Sequence, residues 1–114
     1  MQSSVPDAQT SYHGDVATAD ITVLPIGREG AGVSDLLAEL RRHLDAQDKV
    51  RFEMYAMGTS LEGSTEDIFA LAAELHALPF DSGIPRVYTV LKLDERTDKQ
   101  QSLESKVKSV EDHL

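Results

Sequence analysis

The stretch VRFEMYAMGTSLEG, residues 50–63, decides the fold, because a strand pattern and its reversal follow each other within it. In residues 50–57 apolar side chains alternate with more polar ones, which predicts a β-strand. Gly58 and Gly63 enclose the residues TSLE, which predict a turn and a short returning strand. The chain is therefore expected to fold back on itself here.

A helix is predicted directly after this hairpin. Ser64 with Asp67 three positions later is a helix-start signal, because a hydroxyl and a carboxylate can cap otherwise unpaired backbone amides. Pro79 is predicted to end the helix, since proline interrupts the backbone hydrogen bonds of a helix interior. Between them lies an apolar stripe at helical spacing, formed by Ile68, Leu71, Ala72, Leu75 and Leu78.

A strand and a helix are predicted on each side of this unit. On the N-terminal side, residues 19–26 predict a strand and residues 33–45 an amphipathic helix. On the C-terminal side, residues 86–94 predict the last strand and residues 103–114 a terminal helix. This order predicts an α+β fold, namely a ferredoxin-like (split βαβ) antiparallel sheet with helices on one face and a C-terminal helix.

The second face of the predicted sheet is not cleanly polar. Tyr88 and Val90 lie on that side of the last strand. Tyr55 and Met57 lie on the same side of the second strand. Because a single layer of helices cannot cover both faces, we expect another subunit to cover the second one, as in a homo-oligomer.

The composition excludes several classes of protein. The chain of 114 residues is long enough for one domain, and 20 acidic against 11 basic side chains give a net charge of −9. This charge argues against nucleic acid or an anionic membrane as a partner. The absence of cysteine excludes a disulfide framework, a thiolate nucleophile and a cysteine-ligated metal.

The ends and loops of the chain add few signals. Residues 1–17 are polar and lack periodicity, so we expect a disordered extension before a single domain at residues 18–114. No apolar run approaches the ~20 residues of a membrane span and no secretory signal is evident, so we expect a cytoplasmic protein. The glycine-rich loop GREGAG, residues 27–32, fits neither a P-loop nor a dinucleotide motif, and we interpret it as a flexible turn.

No arrangement of residues predicts catalysis or a metal site. The four histidines lie in separate predicted elements, so their spacing does not favour metal binding. No serine has a convincing histidine and acid partner. We therefore expect no catalytic residues, no metal and no cofactor.

Four segments resemble the small thiamine-binding-protein family, formerly an uncharacterised group of proteins. Together with the intervening helices they cover nearly everything from residue 19 onward: VLPIG (23–27), MGTSLEG (57–63), RVYTVLKLDER (86–96) and SLESKVKSV (102–110). The resemblance implies a ferredoxin-like fold, sheets that associate into dimers and then tetramers, and binding of thiamine or its pyrimidine moiety. It implies no established catalytic activity.

Candidate ligand residues lie in and beside the MGTSLEG segment. A thiamine pocket needs an aromatic or thioether surface and a few polar groups, ideally with a carboxylate. Glu62 can accept from the exocyclic amine of the pyrimidine, and Thr59 and Thr22 can add hydroxyl groups. Met57 and Tyr88 can supply apolar walls. The alternatives are a helix-terminal charge for Glu62, subunit contacts for Met57 and Tyr88, and simple strand or turn positions for the threonines.

Lys92, Asp94 and Arg96 alternate along the last predicted strand, so their side chains share one face of an extended segment. They can form the polar end of the pocket and meet a hydroxyl or phosphate group. They can equally form an ion-pair network between subunits. Both interpretations hold together if the pocket lies at the subunit boundary.

These observations favour a non-catalytic protein that binds thiamine or its hydroxymethylpyrimidine moiety at or near a subunit interface. A metabolite-sensing module and a purely structural oligomer are the alternatives. An enzyme that uses Glu62, Lys92, Asp94 and Arg96 for acid–base chemistry is a further alternative, although the sequence shows no nucleophile.

Overall fold

A computed structural model describes residues 16–27, 33–99 and 102–114. Within these ranges the elements are β1 (Ala17–Ile26), α1 (Ser34–Asp45), β2 (Arg51–Tyr55), β3 (Gly58–Gly63), α2 (Thr65–Asp81), β4 (Arg86–Glu95) and α3 (Leu103–Asp112). The predicted α+β order is confirmed. Of the predicted N-terminal extension, residues 1–15 lie outside the described part, and so does most of the predicted loop at 27–32. No helix in the described ranges has the length and apolar character that a membrane crossing requires.

The four strands form one antiparallel sheet in the order β2-β3-β1-β4. This arrangement confirms the predicted ferredoxin-like fold, in which the hairpin of β2 and β3 is inserted beside β1. β1 pairs with β4 along its whole length, from Ala17 opposite Glu95 to Ile26 opposite Arg86. It pairs with β3 only from Ala17 to Ile21. The C-terminal half of β1 therefore has a neighbouring strand on one side only among the described residues.

The core lies between one face of the sheet and helices α1 and α2. Ile21 of β1 and Leu61 of β3 point into the core from this face of the sheet, and Ile68 points into it from α2. All three are at most 2% exposed. Each helix directs a stripe of leucines or isoleucine into this layer. Val23, Phe52, Met54 and Leu91, which alternate with more exposed neighbours in β1, β2 and β4, pack partly buried against this core.

The start of α2 is as predicted and its end is not. The Ser64 hydroxyl accepts a hydrogen bond from the Asp67 backbone amide at 3.1 Å and caps the helix. The helix continues through Pro79 to Asp81, so the prediction that Pro79 ends it was wrong. Pro79 lies in the last turn, where its fixed φ is helical, and its carbonyl still accepts from the Ser82 and Ile84 amides at 3.1 Å.

Helix α3 packs on the opposite face of the sheet from α1 and α2. The Leu103 amide donates to Glu62 Oε1 at 3.0 Å, and Lys106 forms an ion pair with Asp94. Glu62 and Asp94 both lie opposite Thr18 in the strand register, and Thr18 is only 3% exposed. α3 therefore covers one end of the second face. The prediction that another subunit covers this face does not apply to that end.

Candidate functional site

The main candidate site is a cavity of about 540 Å³ at the uncovered end of the sheet. It lies where the pairing of β1 with β3 ends and β1 continues alone on that side. One wall is therefore the edge of β1 from Asp20 to Pro25. The hairpin residues Tyr55 to Thr59 form a second wall. Helix α1 forms the third wall with Leu36, Leu37, Leu40 and Leu44.

Most of the residues that line the cavity are apolar. α1 contributes Leu36, Leu37 and Leu40, and the hairpin contributes Met54 and Met57. Leu36 and Leu40 belong to the core, whereas Leu37 is 43% exposed and Met57 is 75% exposed. The wall therefore passes from rigid core side chains to a thioether that is accessible from solvent.

A small polar cluster lies at one side of the cavity. The Tyr55 hydroxyl donates a hydrogen bond to Asp20 Oδ1 at 2.7 Å. This bond, with a smaller effect of desolvation and of the Asp20 charge, raises the pKa of Tyr55. Lys92 lies directly opposite Asp20 on β4 and also lines the cavity. Among the described lining residues, Asp20 and Lys92 supply the charged groups.

The hairpin approaches β1 closely at Gly58. A Cβ atom placed there would lie 2.8 Å from the Ile21 carbonyl oxygen and 2.9 Å from Thr22 Oγ1, both too short for a real contact. The Thr22 hydroxyl donates to the Met57 carbonyl at 3.0 Å just beyond this point. Glycine is therefore required for the hairpin to meet β1 where the cavity begins.

The structure brings together four of the eight ligand residues proposed from the sequence. Thr22, Met57, Thr59 and Lys92 all line the cavity. Thr59 is 6% exposed and faces the core side of β3, so its hydroxyl is at the base of the cavity. Thr22 already uses its hydrogen for the Met57 carbonyl and offers its oxygen as an acceptor.

The other four proposed residues do not line this cavity among the described contacts. Glu62 is held beneath α3, where it accepts from the Leu103 amide and lies 3.4 Å from Arg51 Nη1. Asp94 forms an ion pair with Lys106 of α3. These contacts support the alternative interpretation of Glu62 as a charge at a helix N-terminus, although the helix is α3 and not α2.

Tyr88 lies near the start of β4, and Arg96 is the first residue after its end. Tyr88 is 54% exposed and lies opposite Leu24, but it does not line the cavity. Arg96 Nε donates to Asp98 Oδ1 at 2.8 Å. That hydrogen bond lowers the pKa of the exposed Asp98 carboxyl and raises the pKa of Arg96. Arg96 therefore interacts locally with Asp98 instead of extending the line from Lys92 and Asp94.

Two further cavities are shallower or more polar. One of about 300 Å³ lies under α3 and is lined by Lys92, Asp94 and Lys106. Another of about 460 Å³ lies between α1 and the end of α2, with Asp35, Glu39 and Arg42 in its wall. In the described part of the chain, no group of three or more histidine, aspartate or glutamate residues is placed to hold a metal ion.

Sequence reasoning missed Asp20 and Tyr55 as site residues. Asp20 occupies a polar position in an alternating strand, which is typical of a solvent-facing side chain. Asp20, Thr22 and Lys92 share a face of the sheet, but their proximity follows from the strand register, which the sequence does not give. Tyr55 had been assigned to the same face without a partner.

Comparison with known proteins matches this chain to a described family along most of its length. The model of a family described as thiamine-binding protein matches residues 19–111. The protein YqgV of Bacillus subtilis is 39% identical over 102 residues, which are 87% of this chain and 98% of that protein. A Methanothermobacter thermautotrophicus relative is 34% identical over 98 residues, covering 85% of this chain and 98% of its own.

Solved structures share the fold. The MJ1052 protein of Methanocaldococcus jannaschii superposes with a TM-score of 0.77 at 32% identity, over 85% of this chain and 97% of its own. A Thermotoga maritima protein, named as a candidate for thiamine biosynthesis or salvage, superposes with a TM-score of 0.68 over 83% of this chain and 98% of its own. At 21% identity the second similarity concerns the fold alone.

Proposed function

Because the chain belongs to the thiamine-binding protein family, we propose that it binds thiamine or its hydroxymethylpyrimidine moiety in the cavity beside the C-terminal half of β1. The observation that carries this proposal is the meeting of an apolar wall with the carboxylate of Asp20 and the ring of Tyr55. The cavity volume of about 540 Å³ lies within the usual range of small-molecule sites.

The chemistry of the lining suits this ligand. The thiazolium ring of thiamine carries a positive charge, which a carboxylate such as Asp20 attracts in a partly desolvated site. The face of the Tyr55 ring can add a cation–π attraction. Met57 is flexible and polarisable, so it can pack against either heterocycle.

The test is isothermal titration calorimetry with thiamine on the intact chain and on Asp20→Asn. The asparagine keeps an acceptor for the Tyr55 hydroxyl and removes the negative charge, so the affinity for thiamine is expected to fall about tenfold or more. Glu53→Gln is the matched control, because Glu53 is an exposed acid on the same face of the sheet outside the cavity wall. Absence of binding of both thiamine and hydroxymethylpyrimidine to the intact chain at millimolar concentration would refute the proposal.

The same titration distinguishes the forms of the ligand. We expect thiamine and neutral hydroxymethylpyrimidine to bind better than thiamine diphosphate, because the protein carries a net charge of −9 and the cavity contains Asp20. Lys92 opposes this preference locally. A clear preference for the diphosphate would show that Lys92 dominates the electrostatics of the site.

The proposed role is binding without catalysis, as in storage, salvage or delivery of the vitamin. The Thr22 and Tyr55 hydroxyl groups at the cavity donate to the Met57 carbonyl and to Asp20, bonds that fix the geometry of the wall. The family description, a binding protein, supports the same role. A different small metabolite at this cavity is the second candidate, and a ligand panel in the same calorimeter separates the two.

We further propose that the chain forms a homo-oligomer, a dimer of dimers in the cytoplasm, with the ligand near a subunit interface. Leu24, Tyr55, Met57 and Tyr88 are 46%, 47%, 75% and 54% exposed around the end of the sheet that α3 does not cover. Such a concentration of exposed apolar side chains is typical of a protein interface. Sedimentation of a single monomeric species at micromolar concentration would contradict this part of the proposal.

A further inference from the structure

The backbone of β1 changes partners inside the candidate site. The contact of the Ile21 carbonyl oxygen with the Gly58 position shows that the Ile21 carbonyl points toward β3. In an antiparallel pair, successive residues direct their N–H and C=O groups to alternate sides. Val23 therefore directs both of its groups to the same side as Ile21, away from β4.

No strand of the described residues lies on that side of Val23. The pairing of β1 with β3 ends at Ile21 opposite Thr59, and Val23 lines the cavity. Two residues further on, Pro25 directs its nitrogen to the same side, where the missing N–H costs no hydrogen bond to β4. A proline at this position is typical of a strand edge, and it agrees with the orientation inferred for Val23.

We propose that the Val23 N–H and C=O form the recognition edge for the aminopyrimidine ring of the ligand. This inference rests on the proposed function and adds the atoms that read the ring. The Val23 N–H donates to a ring nitrogen, and the Val23 C=O accepts from the adjacent exocyclic amine. The ring thus occupies the place in the sheet that a longer β3 would occupy.

The hydrogen-bonding pattern of the aminopyrimidine ring also matches that of the Val23 backbone. A 4-aminopyrimidine presents a donor and an acceptor on neighbouring atoms, and an extended residue presents an acceptor and a donor side by side in one plane. The walls on either side of this edge are apolar, so a flat ring can enter between the side chains of α1 and the hairpin. A 4-oxo ring has the donor and the acceptor exchanged, so in the orientation of the aminopyrimidine it cannot make both bonds.

The first experiment compares Val23→Pro with Val23→Ala in calorimetry with thiamine. Proline removes the edge N–H and leaves the bonds of β1 to β4, which come from the neighbouring residues. Alanine retains the N–H and controls for the packing of the Val23 side chain against the core. We expect Val23→Pro to bind thiamine about three- to tenfold more weakly than Val23→Ala, the effect of one hydrogen bond.

The ligand side gives an independent measurement. Oxythiamine carries oxygen in place of the exocyclic amine, and we expect the intact chain to bind it about tenfold or more weakly than thiamine. If the Val23 backbone binds the ring, the ratio of the affinities for thiamine and oxythiamine should be smaller in Val23→Pro than in the intact chain. Val23→Ala should keep the ratio of the intact chain. Equal affinities of the two variants for thiamine would overturn the inference and leave the proposed function intact.

Amide hydrogen exchange by NMR tests the edge on the intact chain, without relying on a proline variant that fails to fold. We expect the Val23 amide to exchange rapidly in the unliganded protein and to become protected and shifted downfield with thiamine. A Val23 amide already protected without ligand would overturn the inference, because another strand, such as one from a second copy or a bound peptide, would then occupy the edge. Failure of both thiamine and hydroxymethylpyrimidine to bind would overturn the inference together with the proposed function.

Discussion

The two halves of β1 have opposite surroundings, although they belong to one continuous strand. Residues 17–21 lie between β3 and β4, with α1 and α2 packed on one face and α3 on the other, and Ala17, Thr18 and Ile21 are at most 3% exposed. Residues 22–26 pair only with β4 among the described strands, and Leu24 is 46% exposed.

The difference shows how a small domain can combine stability with a binding site. The first half of β1 fixes the position of the second half through a continuous ladder with β4. The second half can then present backbone and side chains to a cavity without forming a loop. Changes in the first half should therefore alter mainly stability, and changes in the second half mainly binding.

The largest expected effect is on stability, from Leu61→Ala in β3. Leu61 lies opposite Ala19 and is 0% exposed, so truncation leaves a cavity in the core. We expect the free energy of unfolding to fall by about 2–5 kcal/mol, measured by urea denaturation. Leu24→Ala is the matched control in the second half of β1 and should cost far less. Similar losses of unfolding free energy in the two variants would contradict the assignment of stability to the first half of β1 and of binding to the second half.

Gly58→Ala is expected to affect both stability and thiamine binding, because Gly58 contacts β1 at the boundary between its two halves. The new methyl group would meet the Ile21 carbonyl oxygen at 2.8 Å, and the backbone there cannot move aside easily. We expect a loss of about 1–3 kcal/mol in unfolding free energy, with weaker thiamine binding as the hairpin shifts away from β1.

Gly63→Ala is the control for this substitution. Gly63 closes the other end of β3, and a Cβ atom there would meet the Lys49 carbonyl oxygen at 3.3 Å, which is tight but tolerable. A Gly58→Ala variant as stable as Gly63→Ala and with unchanged affinity would show that close contact at Gly58 does not shape the site.

A smaller effect is expected from Glu62→Gln at the covered end of the sheet. The amide can still accept from the Leu103 backbone, but it loses the charge that faces Arg51 and the N-terminus of α3. We expect a loss of about 1 kcal/mol in unfolding free energy and an unchanged affinity for thiamine. Glu53→Gln controls for the loss of a negative charge. A weaker affinity in Glu62→Gln would return Glu62 to the ligand set.

Most of the fold could be predicted from the sequence, and about half of the site could not. Alternation separated the two faces of β1, β2 and β4, because the pleat has the same period as the pattern. The prediction for Pro79 was wrong because proline removes the hydrogen bond of its own N–H but keeps a helical φ, and the helix continues for two more residues. The role of Glu62 depends on where α3 packs, and periodicity defines a helix without saying which surface it contacts.

The relative lengths of β1 and β3 were also beyond the sequence. Where the two strands part determines which residues line the cavity, and this point is set by Gly58 meeting Ile21 across the sheet. Asp20 and Thr22 acquire their importance only from that contact. A site at the end of a strand pairing is therefore visible only once the register is known.

The smallest expected effect is a shift in the alkaline titration of Tyr55, which joins the hairpin to the first half of β1. Its hydrogen bond to Asp20 raises the pKa of the phenol above 10.0, so the neutral form is favoured in the folded state. The contribution of this bond to stability is thus complete below that pH and disappears as the pH rises through the raised pKa. Ultraviolet absorbance of the phenolate, assigned by difference from Tyr55→Phe, should show Tyr55 titrating earlier in Asp20→Ala, which removes both the acceptor and the charge, than in the intact chain. An identical titration in both would mean that the Tyr55–Asp20 bond does not form in solution, and the polar side of the cavity would then lack its fixed geometry.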